Sequence, residues 1–250
     1  MVRVSVITVV KDDAEGLRRT YQSLEQQSLT DWEMLIVVGN SKDETLNFAQ
    51  KLQSNDSRVI AIKEIKNGIY AAMNEGLAMA SGEYAWFMNA GDIFASSSVL
   101  MNAVNFINEN EIGVLIGGYQ ISDDRQRKFS YPEGKVSTED FAFTRRGGCH
   151  QSMIFRTQIL KTVGGFNLTY SLASDFDLIL RVILLANARR VSEIYSSISP
   201  GGRADQGINQ VHLEKHRIRM TLIGGPKIWV MSLIWTGLAR SRIVLRRVLS

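Results

Sequence analysis

Short apolar runs rich in β-branched residues recur through the first part of the chain, and amphipathic stretches separate them. Residues 4–10, 34–38, 59–62 and 84–88 have the composition of strands that are buried on both faces. The stretches between these runs place apolar residues three and four positions apart, which indicates helices. Strands and helices that alternate in this order form a mostly parallel sheet with helices on both faces. The pattern therefore predicts an α/β fold whose ligands bind beyond the carboxyl ends of the strands.

The second part of the chain is less regular. Residues 113–118 and 153–155 are predicted strands, and residues 99–108 and 175–185 are predicted helices. The segment 120–144 is expected to form excursions and edge strands. A chain of 250 residues is long enough for one large domain of this kind.

Composition indicates the compartment. The single cysteine, Cys149, cannot form an intramolecular disulfide and fits a reducing environment. The first residues have the pattern of a strand rather than of a signal peptide, and no apolar run reaches the length of about 18 residues that a membrane span needs. We therefore expect a cytoplasmic protein without a conventional transmembrane helix.

Positive charge is concentrated near the C-terminus. Residues 201–250 contain nine Lys or Arg and two Asp or Glu, a formal charge of +7, whereas residues 1–200 carry −3. A basic segment on a mildly acidic body predicts attraction to an anionic surface, which nucleic acid and anionic lipid both provide. We divide the chain into a catalytic domain, residues 1–210, and a basic amphipathic helical tail, residues 211–250.

The end of the tail, residues 227–250, combines an apolar stretch that carries Trp229 and Trp235 with four arginines. A glycine-proline breaker at 224–226 separates it from the preceding helix. Twelve apolar residues span about 18 Å as a helix, which is too short to cross a membrane. We expect this helix to lie in the membrane interface, and the alternative is that it packs on the catalytic domain or on a second subunit.

Two acidic motifs follow predicted strands or begin a predicted helix. Asp92 ends an Asn-Ala-Gly-Asp turn at residues 89–92, where a carboxylate can hold Mg²⁺ or Mn²⁺ against a diphosphate. Asp175 lies in the first turn of a helix, where a carboxylate can act as a general base. Each motif also has a purely structural explanation, since Asp is common in turns and at helix N-termini.

Two further motifs offer polar side chains next to glycine. His150 and Gln151 follow a glycine pair, and Tyr70 and Asn74 follow an Asn-Gly pair at residues 67–68. A flexible turn and a helix start explain these segments equally well. Cys149 is expected to be buried rather than to act as a nucleophile, because its sequence neighbours offer no basic group besides His150.

The order of these motifs resembles that of the family 2 glycosyltransferases, which transfer sugars from nucleotide sugars and have the GT-A fold. It is typical of bacterial transferases for exopolysaccharide, O-antigen and colanic acid. The resemblance covers roughly residues 2–185. The segments that carry it are Val4–Val9, Ser41–Thr45, Gly68–Asn74, Gly82–Tyr84, Asn89–Asp92, His150–Gln151, Gly164–Phe166 and Asp175–Leu178.

The resemblance implies roles for individual residues. Asp92 would bind Mn²⁺ or Mg²⁺, and Asn89 stands where many relatives have a second Asp. Asp175 would be the general base, and Asp177 a neighbour that orients the site. The residues implied to bind substrate or nucleotide are Thr8, Lys11, Asp13, Asn40, Asp43, Tyr70, Asn74, Asn89, His150, Gln151 and Asp177.

Two positions depart from the family pattern. Val38 stands where relatives usually have an Asp that contacts the base, and Ala71 replaces a frequent acidic residue. Asp43 or the backbone at residues 39–40 would then contact the base. A uridine diphosphate sugar is the default donor, and guanosine- or thymidine-linked sugars remain open.

The resemblance implies an inverting transfer to a hydroxyl group of a glycan or polyprenyl-linked acceptor during synthesis of a cell-surface polysaccharide. It would occur at the inner face of the plasma membrane. The chain lacks the Gln-x-x-Arg-Trp motif, which argues against a processive synthase, and a homo-oligomer remains open. The alternative is a degenerate scaffold of the same fold.

Other classes fit less well. Nucleotidylyltransferases and Rossmann dehydrogenases need a glycine-rich turn after the first strand, where this chain has Lys-Asp-Asp-Ala at residues 11–14. No recognised nucleic-acid-binding motif accompanies the basic segment, so we expect no nucleic-acid partner.

Overall fold

The computed structural model describes residues 3–123, 127–143, 148–200 and 208–225. Within these ranges the strands are β1 (Val4–Val10), β2 (Trp32–Val38), β3 (Val59–Lys63), β4 (Tyr84–Phe87), β5 (Ile93–Phe94), β6 (Val114–Ile121), β7 (Lys128–Phe129), β8 (Gly134–Lys135), β9 (Met153–Arg156) and β10 (Ala188–Ile198). The α-helices are α1 (Ala14–Glu25), α2 (Thr45–Asn55), α3 (Ile69–Met79), α4 (Val99–Asn110), α5 (Thr138–Phe143), α6 (Thr157–Thr162), α7 (Ser174–Leu185) and α8 (Ile208–Leu222). A short 3₁₀ helix spans His150–Ser152. Residues 227–250, for which we predict an interfacial helix, lie outside the described residues.

One sheet organises the fold. Its strand order is β3-β2-β1-β4-β9-β6-β10-β5, with β7 paired to β6 and β8 to β10. The first four strands of this order are parallel, whereas β9 runs antiparallel to both β4 and β6. The predicted α/β fold is therefore confirmed, and its parallel part is the half that the regular alternation predicts.

The sheet is covered on both faces, and alternate residues of β1 show why. Ile7 and Val9 pack in one apolar core, and Val4 and Val6 pack in another. Successive side chains of a strand point to opposite faces, so a uniformly apolar strand needs cover on both. Helices α3, α5, α6, α7 and α8 contribute to the first core, and helices α1, α2 and α4 to the second.

The helices after β1 and β2 begin differently. Asp13 caps α1, because its carboxylate accepts the N–H of Gly16 at 2.8 Å. Ser41 and Glu44 have the spacing of a capping box, which predicts a capped start of α2, but the structure contradicts this prediction. The Ser41 hydroxyl instead accepts the N–H of Asp12 at 3.0 Å in the neighbouring loop, and Glu44 makes no side-chain capping bond.

Strand β10 is the largest element that sequence patterns do not predict. Its eleven residues include two arginines, a glutamate and three serines, and its pairing with β6 is irregular at Arg190, Ile194 and Ser196. The strand is nevertheless central, since it also pairs with β5 and β8. Its carboxyl end brings the following residues to the edge of the sheet where β1, β2 and β4 end.

Helix α8 crosses residue 210, the limit expected for the catalytic domain. Ile218 is fully buried in the first core, and the buried Arg219 donates from Nε to the carbonyl oxygen of Ala142 at 2.8 Å. We therefore propose that the catalytic domain extends at least to residue 222. None of the helices in the described ranges has the length and hydropathy needed to span a membrane.

Candidate active site

The turn at residues 89–92 follows β4 and is held in place by helix α1. The fully buried Thr20 donates its hydroxyl to the carbonyl oxygen of Asp92 at 2.8 Å and accepts the N–H of Gly91 at 3.0 Å. Gly91 has a φ of +90°, a conformation that favours glycine. These contacts fix the backbone from which the Asp92 side chain projects.

Asp92 joins three segments at the carboxyl edge of the sheet. Its side chain is almost completely buried, and its Oδ1 accepts the N–H of Ser199, just after β10, at 2.9 Å. Its Oδ2 accepts Nε2 of Gln151, in the 3₁₀ helix, at 2.9 Å. Burial raises the pKa of Asp92 above its usual value, although both hydrogen bonds favour the ionised form.

The residues of this turn fit a hard divalent cation. The Asn89 side-chain oxygen is buried and has no hydrogen-bond partner among the described residues, so the turn offers amide oxygen as well as carboxylate. No group of three or more His, Cys, Asp or Glu side chains in the described part of the chain is arranged for metal binding. Mg²⁺ and Mn²⁺ are commonly bound by one or two carboxylates together with phosphates, which this turn would allow. A cation would also offset the cost of burying the Asp92 charge.

The loops after β1 and β2 are interlocked beside this turn. The N–H of Asp13 donates to the Thr45 hydroxyl at 3.0 Å, and that hydroxyl donates to Oδ1 of Asp43 at 2.5 Å. The N–H of Lys42 donates to Oδ1 of Asp12 at 2.6 Å. The hydrogen bond from Thr45 lowers the pKa of Asp43, which keeps this carboxylate ionised.

The predicted donor-binding residues Lys11, Asp13, Asn40 and Asp43 therefore belong to two loops held in a fixed relation at the edge where β1 and β2 end. Asp13 also lies close to the turn at residues 89–92, because a methyl group on Gly91 would be 3.6 Å from its Oδ2.

Two strand residues near the site are fully buried. Val38 packs in the core that helices α1, α2 and α4 cover, so it offers no polar contact to a nucleotide base. Thr8 is also fully buried, and its hydroxyl has no hydrogen-bond partner among the described residues. The assignment of Thr8 to substrate contact stays a prediction.

Asn74 and Tyr70 both contact Phe166. The Asn74 amide accepts the N–H of Phe166 at 2.8 Å and donates to its carbonyl oxygen at 2.9 Å. The Tyr70 ring stacks on the Phe166 ring, with 5.3 Å between centroids. Asn74 thus holds the loop between α6 and α7, and the donor contact that the resemblance implies for it stays a prediction.

Asp177 supports the same loop from α7. Its nearly buried carboxylate lies 2.6 Å from Nη2 of Arg181, and Arg181 donates to the carbonyl oxygens of Val163 and Gly165. These contacts are compatible with the implied role of Asp177 as an orienting neighbour, and its implied contact with substrate stays a prediction.

Asp175 lies in the first turn of helix α7, next to the 3₁₀ helix. Its Oδ2 is 3.5 Å from Nδ1 of His150, and 32% of its side chain is exposed, compared with 13% for His150. Burial alone would raise the pKa of Asp175, but the His150 contact and the positive charge of Lys215 outweigh it and hold the pKa below its usual value. Asp175 is therefore ionised at neutral pH, as a general base must be.

Cys149 lies near both carboxylates. Its thiol donates to the Gln151 side-chain oxygen, and burial together with the charges of Asp92 and Asp175 raises its pKa. A thiol that stays protonated is a poor nucleophile, so Cys149 contributes no nucleophile to the site.

Sequence patterns missed four residues of this site: Thr20, Ser199, Glu214 and Lys215. The Lys215 ammonium group lies 5.0 Å from the centre of the Phe176 ring, next to Asp175. Lys215 lies in the segment that the sequence assigns to the basic tail, so its place in the sequence does not indicate that it lies next to Asp175.

Comparisons with known proteins agree with this geometry. The model of the family described as "Glycosyl transferase family 2" matches residues 5–165, which is more than half of the chain. The chain belongs to the family 2 glycosyltransferases. A relative from Mycobacterium tuberculosis, described as a PGL/p-HBAD biosynthesis glycosyltransferase, is 26% identical over 251 residues, covering 98% of this chain and 96% of the relative.

Solved structures show that this family 2 glycosyltransferase has the GT-A fold. Staphylococcus aureus TarS 1–349 in complex with UDP-GlcNAc has a TM-score of 0.72 and 20% identity, covering 88% of this chain and 67% of the TarS chain. The mannosyltransferase PcManGT from Pyrobaculum calidifontis, in complex with GDP-Man and Mn²⁺, has a TM-score of 0.69 and 15% identity, covering 97% of this chain and 75% of its own.

Proposed function

We propose that this family 2 glycosyltransferase moves a sugar from a nucleoside diphosphate sugar to a hydroxyl group of a glycan or polyprenyl-linked acceptor, with inversion. The observation that carries the proposal is the pair of carboxylates, Asp92 and Asp175, connected through the 3₁₀ helix. One is buried in a turn suited to a cation, and the other is ionised at the cleft. These are the two groups that a single displacement requires.

Asp175 accepts the proton of the acceptor hydroxyl as that oxygen attacks the anomeric carbon. The bond from the anomeric carbon to the diphosphate oxygen breaks as the new bond forms, so the configuration inverts. His150, 3.5 Å from Asp175, orients the carboxylate. A divalent cation held by Asp92, with Asn89 as a second oxygen ligand, supplies Lewis-acid stabilisation to the departing diphosphate when bound.

The donor is proposed to be a uridine diphosphate sugar. The TarS and PcManGT structures contain UDP-GlcNAc and GDP-Man respectively, so solved proteins of this fold accept both bases. The buried Val38 leaves base recognition to Asp43 or to the backbone at residues 39–40. Thermal stabilisation by a panel of UDP-, GDP- and TDP-linked sugars with Mn²⁺ tests this, because a ligand that binds only the folded state stabilises it. No shift with any of them would favour the non-catalytic scaffold.

We also propose that the acceptor belongs to a cell-surface glycan and that the protein binds the inner face of the plasma membrane through residues 227–250. The name of the mycobacterial relative, and the four arginines and two tryptophans of the tail, support this proposal. Deletion of residues 226–250 should abolish binding to anionic liposomes while donor hydrolysis continues. Loss of the folded state on deletion would favour packing of the tail on the domain, and a change in oligomeric state would favour a subunit contact.

The central test replaces Asp175, the proposed general base. Asp175→Asn should lower kcat by roughly 10²–10⁴-fold, the usual range for general base catalysis, while the Kd for nucleoside diphosphate with Mn²⁺ is unchanged. Asp31→Asn is a matched control, since Asp31 is exposed and remote from the cleft residues in the sheet. Near-wild-type turnover of Asp175→Asn would remove Asp175 from this role.

The second test addresses the cation. Asp92→Ala should weaken the Mn²⁺ dependence of nucleoside diphosphate binding, measured by calorimetric titration at several Mn²⁺ concentrations. Identical Mn²⁺ dependence in the variant and the wild type would leave Asp92 as a residue of the turn alone.

A further inference from the structure

Helix α7 carries Asp175 in its first turn, where Oδ1 of Asp175 accepts the N–H of Phe176 at 2.8 Å. The N-cap residue of the helix, Ala173, makes no side-chain capping bond. The N–H groups at a helix start have no partner within the helix and need one from elsewhere. The position of Asp175 therefore depends on what holds the residues that precede it.

Glu214 of helix α8 supplies that support. Its Oε2 accepts the N–H groups of Leu172 and Ala173, both at 2.9 Å. Its Oε1 accepts the N–H of Ser171 at 3.2 Å and the Ser171 hydroxyl at 3.0 Å. Three consecutive backbone donors immediately before α7 thus converge on one carboxylate.

The Glu214 carboxylate is buried and charged. Only 7% of the residue is exposed. Burial would raise the pKa of Glu214, but the hydrogen bonds from Leu172, Gln210 and Ser171 outweigh it and lower the pKa. Hydrogen bonds to an ionised acceptor are about twice as strong as neutral ones, so this contact holds the segment firmly.

The same helix contacts the residue that follows Asp175. The Lys215 ammonium group and the Arg219 guanidinium group lie 5.0 Å and 5.2 Å from the centre of the Phe176 ring. Helix α8 therefore contacts the chain on both sides of Asp175, before it through Glu214 and after it through these two cations.

We infer that Glu214 is a positioning residue for Asp175, and that helix α8 completes the catalytic centre of this transferase. The inference rests on the proposed role of Asp175 as general base. Without the Glu214 carboxylate, the backbone at residues 171–173 loses its acceptors and the first turn of α7 is free to shift. A misplacement of about 1 Å can cost on the order of 10²-fold in rate, because the reacting atoms leave their alignment.

Glu214→Gln tests the inference. Glutamine has nearly the same size as glutamate, but its amide nitrogen replaces one carboxylate oxygen and cannot accept a hydrogen bond. The assay is release of nucleoside diphosphate from the same panel of UDP-, GDP- and TDP-linked sugars with Mn²⁺. We expect kcat to fall by roughly 10–100-fold while KM changes by less than about threefold, because most of the proposed donor contacts lie on the loops after β1 and β2, which Glu214 does not touch. Glu109→Gln, on the exposed face of α4, is the matched control and should behave as wild type.

The deciding measurement is the double variant with Asp175→Asn. If Glu214 acts through Asp175, the double variant has the same kcat as Asp175→Asn alone, because a base that is absent cannot be misplaced. Losses that add would overturn the inference and leave Glu214 as a residue of general structural importance. Near-wild-type kcat of Glu214→Gln would overturn it as well.

Two milder variants test the same inference if Glu214→Gln does not fold. Gln210→Ala and Ser171→Ala each remove one hydrogen bond to Oε1 and leave those to Oε2 intact. Each should lower kcat by a few fold, and only when Asp175 is present; a loss that persists in the Asp175→Asn background contradicts the inference. A wild-type chain that releases no nucleoside diphosphate from any sugar would overturn the proposed function, and the inference with it. If the wild type is active but the losses from Glu214→Gln and Asp175→Asn add, the inference is overturned and the proposed function stands.

Discussion

Thr20→Val removes one buried hydroxyl group that fixes the turn at residues 89–92 and leaves the shape of the side chain nearly unchanged. In the wild type this hydroxyl donates to the carbonyl oxygen of Asp92 and accepts the N–H of Gly91, at 2.8 Å and 3.0 Å. Valine fills the same space, so no cavity forms, but it leaves both backbone groups without this partner. The variant therefore separates the hydrogen bonds of the turn from its packing.

The magnitude follows from the cost of unsatisfied groups. Each buried polar group that loses its partner costs about 1–3 kcal/mol, and part of this is recovered because the hydroxyl itself no longer has to be buried. We expect Thr20→Val to lower the free energy of unfolding by about 2–4 kcal/mol. For a protein of this size the Tm should fall by roughly 5–15 °C.

The assay is urea unfolding without metal, followed by calorimetric titration of UDP in the presence of Mn²⁺. Binding should weaken as well, because a looser turn no longer holds Asp92 in place. Thr162→Val is the matched control: the Thr162 hydroxyl donates to Gln158 at 2.9 Å on the exposed surface of α6. Surface substitutions usually change the free energy of unfolding by less than about 0.5 kcal/mol. If the free energies of unfolding of Thr20→Val and Thr162→Val differ by no more than this, the turn does not depend on Thr20 and the reasoning fails.

Three further outcomes are expected. Lys215→Met should move the acid limb of the pH–rate profile to higher pH, because loss of the positive charge raises the pKa of Asp175; an unchanged limb would contradict this. Hydrogen bonds from Arg58 lower the pKa of Asp56 to about 2, so the ion pair contributes stability above pH 4 that is lost as the pH falls towards 2. Asp56→Asn should therefore cost about 2 kcal/mol in urea unfolding at pH 7 and much less at pH 2, and an equal cost at both would refute the linkage. The raised pKa of Cys149 predicts labelling by a thiol reagent at pH 7 that is far slower in the folded protein than in urea, and equal rates would contradict it.

The parallel half of the fold could be predicted because its strands are mostly apolar. Strands β1 and β2 are buried at every position, and only Ser5, Thr8 and Glu33 are polar within them. Strand β10 could not be predicted in this way. It carries charged and polar residues within its length, and its irregular register with β6 interrupts the alternation that would mark a half-buried strand.

The candidate site was predictable only in part, for a related reason. Asp92 and Asp175 were found because they occur in a recognisable order of motifs. Their supporting partners come from distant and ordinary positions: Gln151 is 59 residues from Asp92, and Ser199 is 107. Hydrogen bonds over such separations are set by the topology of the sheet, and no local pattern reports them. Glu214 was missed for the same reason, since a glutamate on a charged helix usually faces solvent.

The contact between Glu214 and Ser171 also has a consequence for the order in which the protein is assembled during translation. The two residues are 43 positions apart, so at about 5–20 residues per second the ribosome adds Glu214 roughly 2–9 s after Ser171. The loops after β1 and β2 and the turn after β4 are complete long before that moment. A nascent chain can thus form the edge of its sheet where β1, β2 and β4 end first, and the segment before Asp175 gains its support only when helix α8 docks.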